Sequence, residues 1–179
     1  MNARLETARL TLRPLTAGDL PAVVPLLGDY DVAKNLTHVA YPYSQKLAEE
    51  WLAVTEAKRR AREGFTWSVY RGEILAGVCS IGRQHGRFNL GYWYGKPFWG
   101  QGYATEAGTR AVQFAFADLG ETALDSGWYE DNPASGRVLE KLGFEPAGFE
   151  MIRSEARNAT VVCNRVWLTA ETFLQKKAA

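Results

Sequence analysis

Gly100 and Gly102 bracket Gln101 between a strand-like run and a run of helix formers, where an anion-binding turn would be built. The stretch Phe98 to Ala107 reads FWGQGYATEA, and the preceding segment, Phe88 to Tyr94, has the alternation of a strand. Backbone N–H groups at a helix start lack an intrahelical acceptor, and neither glycine carries a Cβ that would hold a ligand off. With the helix dipole added, such a turn favours a phosphate. A glycine-rich turn serving only the fold is the plainer reading of the same residues. A second chemically loaded stretch is Asn132-Pro133-Ala134-Ser135. Asparagine at the N-cap and proline at N1 start a helix, and Ser135 sets a hydroxyl in its first turn.

Joined by the opening ARLTLRPL, the runs WGQGYATEA and NPASGRVLEKLGF resemble the GNAT superfamily of acetyl-CoA-dependent N-acetyltransferases. The branch they resemble is the RimJ/RimL type, and the resemblance runs from about Arg9 to about Leu168. It implies an α/β (α+β) fold of the GNAT kind. That fold has a mixed, mostly antiparallel sheet of six to seven strands, splayed between strands four and five and flanked by about four helices. It also implies acetyl-CoA as acyl donor, with no metal, and a primary amine as acceptor. The expected acceptor is a protein N-terminal α-amino group of the ribosomal-protein type, reached by direct attack in a ternary complex. A small amine such as an amino acid or amino sugar is the alternative, and a non-catalytic acyl-CoA-binding module is the rival of another class.

Residue by residue, the resemblance puts the coenzyme's phosphates on Gln101, Gly102, Tyr103, Ala104 and Thr105. Trp99 stands where the family has Gln or Arg. Tyr92, Trp93 and Tyr94 would line the slot between the parting strands, with Asn132 as a further cofactor contact and Arg137 reaching either a coenzyme phosphate or Glu140 or Glu130. Ser135 would meet the coenzyme's sulfur; a thiol of pKa about 8.5 leaves easily, so a hydroxyl need only hydrogen-bond it. For the base this chain departs from the family, because Asn89 occupies the strand-four position where related enzymes often place a glutamate. Glu150 is the candidate, with Tyr92 or Glu106 behind it. An α-amine of pKa about 7.7–8 is already roughly a tenth to a sixth deprotonated at pH 7, so it asks little of a base. The acceptor would sit among the Leu36–Ser44 loop, the Gln84–Phe88 turn and the final hairpin, touching His38, Tyr41, Tyr43 and Arg153.

The elements that must hold these groups follow from periodicity and punctuation. Leu10 and Leu12 mark a first strand and Gly18–Leu27 a first helix, while Asp29–Tyr43 shows little period. Ser44 caps a second helix whose basic run, Lys58 to Arg62, reads as a solvated face, with Gly64 as its C-cap. Phe65–Tyr70 and Ile74–Ile81 form a hairpin about Arg71-Gly72-Glu73. Strand four, Phe88–Tyr94, sets Phe88, Leu90, Tyr92 and Tyr94 on one face and Asn89, Gly91 and Trp93 on the other. Ala104, Ala107, Ala111 and Ala115 give the next helix a small-residue face for close packing, and Gly120 follows as its stop. Ala123–Tyr129 is a fifth strand, Pro133–Leu142 a helix, and Gly148–Arg153 pairs with Thr160–Leu168 before a short tail at Lys176–Ala179.

Composition excludes other classes. The 179 residues fit one domain, read as spanning 1–179, with 46% hydrophobic and 23% charged residues. A net charge of +1 gives no bulk attraction for nucleic acid or membrane, and no stretch is apolar enough to span a bilayer. Cys79 and Cys163 lie in apolar runs and read as reduced, buried thiols, and His38 and His85 lack zinc-ligand spacing. The N-terminus has no apolar signal core, so a cytoplasmic location is expected. Monomer and homodimer both stay open, and a dinucleotide-binding unit is weak because GxGxxG is missing.

Overall fold

The computed structural model describes residues 4–84 and 86–178, so His85 lies outside the described residues. One eight-stranded sheet runs in the order β1-β2-β3-β4-β5-β6-β8-β7. Its strands are β1 Leu5–Glu6, β2 Thr11–Pro14, β3 Gly64–Arg71, β4 Ile74–Gln84, β5 Arg87–Tyr94, β6 Ala123–Tyr129, β7 Glu145–Ser154 and β8 Ala159–Thr169. Every neighbouring pair is antiparallel except β5 with β6. The strand beyond the expected six or seven is β1, whose two residues are too few to show a period. The helices are α1 Leu20–Leu27, α2 Tyr30–Ala33, α3 Gln45–Arg60, α4 Tyr103–Gln113, α5 Pro133–Leu142 and α6 Ala170–Ala178.

Two apolar layers cover the two faces. On one, Phe88, Leu90 and Tyr94 of β5 pack with Ala107, Ala111 and Ala115, and with Leu139 and Leu142 of α5. Of the four alanines that suggest close helix–sheet packing, Ala107, Ala111 and Ala115 are fully buried there and Ala104 is half-buried. On the other face, α1 and α3 bury Leu20, Val23, Leu27, Ala48 and Leu52, with Trp93 packed against them. The strict alternation along β5 thus sends Tyr92 to the first layer and Trp93 to the second.

Where punctuation is local, the sequence and the structure agree. The Ser44 hydroxyl accepts the Leu47 N–H at the head of α3, and Asn132 accepts the Ser135 N–H at the head of α5. Several expectations need correction. Ala61, not Gly64, caps α3, and Gly64 instead opens β3. Asp29 accepts the Asp31 N–H and starts the one-turn α2 inside the stretch that lacked a period. A 3-10 turn, Ala17–Asp19, takes the place of the first helix's expected start. The tail at Lys176 belongs to α6, which is anchored by buried Phe173 and by Lys176 donating to the Glu140 carbonyl. Finally, α4 widens into a π turn at Phe114–Asp118 before Gly120.

The parallel pair is the feature that builds a site. β5 and β6 register at Phe88 against Leu124 and Asn89 against Asp125. Just beyond, the Ser126 hydroxyl donates to the Leu90 carbonyl at 2.9 Å. From there the two strands part, while β5 stays paired to β4 as far as Tyr94. The expected splay between strands four and five is this wedge between β5 and β6, renumbered by the short β1.

Candidate active site

At the head of α4, Gly100 and Gly102 adopt φ of +72° and +79°. A side chain is strained in that left-handed region, which explains why the turn is written with glycine. Nothing lies within 4 Å of where a Cβ on Gly100 would stand, so the turn is open. The first N–H groups of α4, from Tyr103 on, have no carbonyl a turn earlier to bond. The turn therefore fits a phosphate through its main chain. Tyr103's ring is buried and its carbonyl faces the Tyr94 hydroxyl at 3.4 Å, so Tyr103 offers only its backbone there. Gln101 is exposed with its amide on the Pro97 carbonyl, and Ala104 and Thr105 are half-buried in the first turn.

At the wedge the structure joins two residues that are far apart in sequence. The Tyr92 hydroxyl lies 2.9 Å from the Ser135 hydroxyl and donates to the Ser135 carbonyl at 3.0 Å. Asn132 accepts the Ser135 N–H at 3.4 Å, so the cap fixes the serine that the tyrosine meets. Burial pushes the Tyr92 hydroxyl well above the ordinary phenol value, against a smaller opposing effect of the Ser135 hydrogen bond. It therefore keeps its one proton at neutral pH, and when that proton turns from the Ser135 carbonyl to the Ser135 hydroxyl it backs the serine as a donor. Tyr94 is buried in the core, where burial raises it strongly too, so its side chain is packing and what it offers its neighbours is its carbonyl. That carbonyl accepts the Trp99 indole N–H at 2.7 Å. Trp99 thus faces the end of β5 with the one polar group it carries.

On the α1–α3 face a cleft of about 440 Å³ runs past the same strand, within the usual range for a ligand site. Gly91, Tyr92 and Trp93 lie at one part of its wall, Tyr43, Trp51 and Val54 roof it, and Thr66, Ser80 and Asn89 add polar atoms. His38 and Tyr43 line it, and burial raises the Tyr43 hydroxyl to about 12. Tyr41 and Arg153 do not: Tyr41 sets its ring edge-on to Tyr30, and Arg153 donates to Asn158 within its own hairpin.

Sequence reasoning missed three groups here. Glu155, in the β7–β8 turn, lines the cleft with its carboxylate 3.7 Å from His38 Nδ1. Lys58 lines it too, its stem over Gly64, so the basic run of α3 is not wholly a solvated face. Arg157 pins the turn. It donates to the Lys34 carbonyl at 2.6 Å and to both Asp131 oxygens at 2.6 and 3.1 Å, and it lies over the Tyr129 ring. The expectation of the final hairpin as acceptor wall names Arg153 and not Glu155, although the acidic residue at its turn is the signal that could have found it.

Other expected groups stand apart from this constellation. Glu150 is exposed on the outermost strand, 3.6 Å from Arg165. Glu106 is fully engaged: Oε1 accepts the Thr7 hydroxyl and the Arg9 N–H, and Oε2 accepts the Arg9 side chain. Burial alone would raise its carboxyl, but these bonds outweigh it and hold the group below its ordinary value. Arg137 is exposed on the wall of a second hollow of about 360 Å³ behind α5, beside Pro133, Gly136 and Glu140.

Residues 9–145 match the model of the acetyltransferase (GNAT) domain family. The chain is 28% identical over 154 residues to the uncharacterized N-acetyltransferase YoaA of Bacillus subtilis, covering 80% of this chain and 84% of that one. Among solved structures it resembles Mycobacterium smegmatis RimJ in complex with a CoA disulfide. There the TM-score is 0.81 at 20% identity, over 95% of this chain and 87% of that one. It also resembles RimL, described as a ribosomal L7/L12 alpha-N-protein acetyltransferase in complex with coenzyme A. That match has a TM-score of 0.83 at 18% identity, over 95% and 99% of the two chains. At such identities the two structures establish the fold alone. Among the described residues, no helix is long and apolar enough to cross a membrane.

Proposed function

This chain belongs to the acetyltransferase (GNAT) family, and from that premise we propose that it moves acetyl from acetyl-CoA to a protein N-terminal α-amino group. The observation that carries the reading is the shared wall at Tyr92. The Tyr92–Ser135 hydroxyl pair stands at the wedge, and the cleft on the other face of β5 reaches the same residue. Donor and acceptor would meet there from opposite sides of one strand. The open glycine turn at α4 would hold the coenzyme's phosphates through main-chain N–H groups, with Gln101 to Thr105 as its residues. Trp93, on the cleft side, would place the incoming amine.

In this reading the amine nitrogen attacks the thioester carbonyl, the C–S bond breaks, and the proton that the nitrogen sheds ends on the departing sulfur. Ser135 supplies the hydrogen bond that the developing thiolate needs, with the protonated Tyr92 hydroxyl behind it. Glu155 at the cleft mouth attracts the ammonium form and takes its proton through water. No stronger base is required for an α-amine, whereas a lysine amine at pKa about 10.4 would be less than a thousandth deprotonated at pH 7. The cleft is open enough for a chain end, and the RimL likeness in fold supports the same acceptor class.

The test is thiol release from acetyl-CoA with three acceptor sets: peptides with free N-termini, N-blocked lysine peptides, and small amines. Turnover on free N-termini is expected. Turnover confined to small amines would move the acceptor class, and thiol release with none of the sets would refute the enzymatic reading.

A further inference from the structure

The turn at the head of α4 has a cation beside it that comes from a distant part of the chain. Arg9, between β1 and β2, places Nη2 3.4 Å from where a Cβ on Gly102 would stand. Its guanidinium lies over the Tyr103 ring at 4.9 Å from the centroid. Glu106 in the first turn of α4 holds Nε and Nη2, each at 2.7 Å, through Oε2. We propose that Arg9 is the cation that meets the coenzyme's phosphates in this chain, taking over from the Gln or Arg that the family pattern has at Trp99. The inference rests on the acetyl-CoA reading above.

Three features support it. Trp99 cannot fill the role, since an indole carries a single N–H and here that N–H is bonded to the Tyr94 carbonyl. Arg9 is already ordered by the tyrosine face and by Glu106, so little rotamer freedom is lost when an anion arrives. A guanidinium has five N–H groups, and Glu106 engages only part of that fork. The charge of Glu106 does not cancel the effect toward the turn, because the pair is asymmetric. The Arg9 side chain is 51% exposed and that of Glu106 18%, and the Glu106 oxygens are already taken by Thr7 and Arg9. An approaching phosphate meets the guanidinium first.

Calorimetric titration with coenzyme A, together with KM for S-acetylpantetheine, which lacks the phosphates, tests this. Arg9→Gln is expected to weaken coenzyme A about tenfold, equal to about 1.4 kcal/mol, and to leave S-acetylpantetheine within about twofold. Arg9→Lys keeps the charge without the fork and is expected to fall between wild type and Arg9→Gln. Glu106→Gln keeps the cation and is expected to cost coenzyme A less than about threefold. If Arg9→Gln binds coenzyme A like the wild type, or weakens both compounds equally, the role of Arg9 is overturned while the acetyltransferase reading stands. If the wild type itself fails to bind coenzyme A, the acetyltransferase reading falls with it.

Discussion

If Ser135 and Tyr92 work as one relay, removing both hydroxyls will cost no more catalytic rate than removing Ser135 alone. Hydrogen bonds to charged groups contribute about 1.5–3 kcal/mol, so Ser135→Ala at the developing thiolate is expected to lower kcat about 10- to 150-fold. Tyr92→Phe leaves the serine hydroxyl in place but without its 2.9 Å partner, and a loss of about tenfold is expected. Because the tyrosine acts through the serine, the double variant should match Ser135→Ala, so the coupling equals the whole Tyr92→Phe effect. Stability must be followed alongside. Tyr92→Phe also strips the Ser135 carbonyl of a 3.0 Å donor, a cost of about 1–3 kcal/mol, and a chain of this size loses about 2–4 °C of Tm per kcal/mol. Rates are therefore read at 25 °C, where the variants remain folded, by thiol release with saturating acetyl donor. Burial keeps Tyr92 protonated, so the loss in Tyr92→Phe should be the same at pH 7 and pH 9. Losses that simply multiply in the double variant, or a Tyr92→Phe effect that fades at pH 9, would refute the relay.

Four further outcomes are expected. For an α-amine acceptor, log kcat/KM should climb with unit slope and level near pH 8, and a climb continuing towards pH 10 would instead mark a lysine side chain. At Gly136 an added Cβ would stand 2.7 Å from Trp128 Cε2. That overpacking costs about 1–3 kcal/mol and outweighs the roughly 1 kcal/mol that alanine gains over glycine in a helix, so Gly136→Ala should lower Tm and kcat together. Arg157→Gln frees the turn that carries Glu155, and the amine KM should rise about tenfold while the affinity for coenzyme A, measured by calorimetry, changes little. Asp19 is 1% exposed. Burial would raise its carboxyl, but hydrogen bonds from Tyr70, Thr16 and Ser68 outweigh that and lower it. A carboxyl lowered in the folded state stabilises above its unfolded value near 3.9, and that contribution is lost as pH falls through the folded value. Acid melts should thus show wild-type stability dropping below about pH 4, with Asp19→Asn less stable at pH 7 by about 2–3 kcal/mol and less sensitive to acid.

What the sequence could show follows from the range over which each interaction acts. The start of α5 was legible because Asn132, Pro133 and Ser135 are three steps apart, and the glycine turn was legible because a left-handed φ is a local demand. The faces of β5 were legible from a period of two. Chemistry that depends on chain crossings was not. Arg9 reaches Glu106 across 97 positions and Arg157 reaches Lys34 across 123, and nothing near either residue announces its partner. The same distance rule explains Glu150, chosen as base for its nearness in sequence to the Ser135 helix. The pairing of β7 outside β8 carries it to the sheet's far edge, while the turn between those strands brings Glu155 back over the cleft.

The splay shows how a local irregularity becomes a site. β5 and β6 are the parallel neighbours in the sheet, and past their last paired residues Ser126 meets the Leu90 carbonyl with its side chain. From that point β5 has a free edge while its other edge stays locked to β4. The strand cannot move to close the gap without breaking that antiparallel ladder, so the wedge is held open by pairing on the far side. Tyr92 hangs in the wedge because its position in the alternation faces α5, and Trp93 hangs in the cleft because it is the next residue. A Ser126→Val variant would replace the bridging hydroxyl with two methyl groups and leave the Leu90 carbonyl without that donor. The expected result is a lower Tm with the Tyr92–Ser135 coupling intact, since the β4 ladder alone sets where Tyr92 stands. Loss of the coupling in that variant would show instead that the bridge, and not the ladder, fixes the wedge.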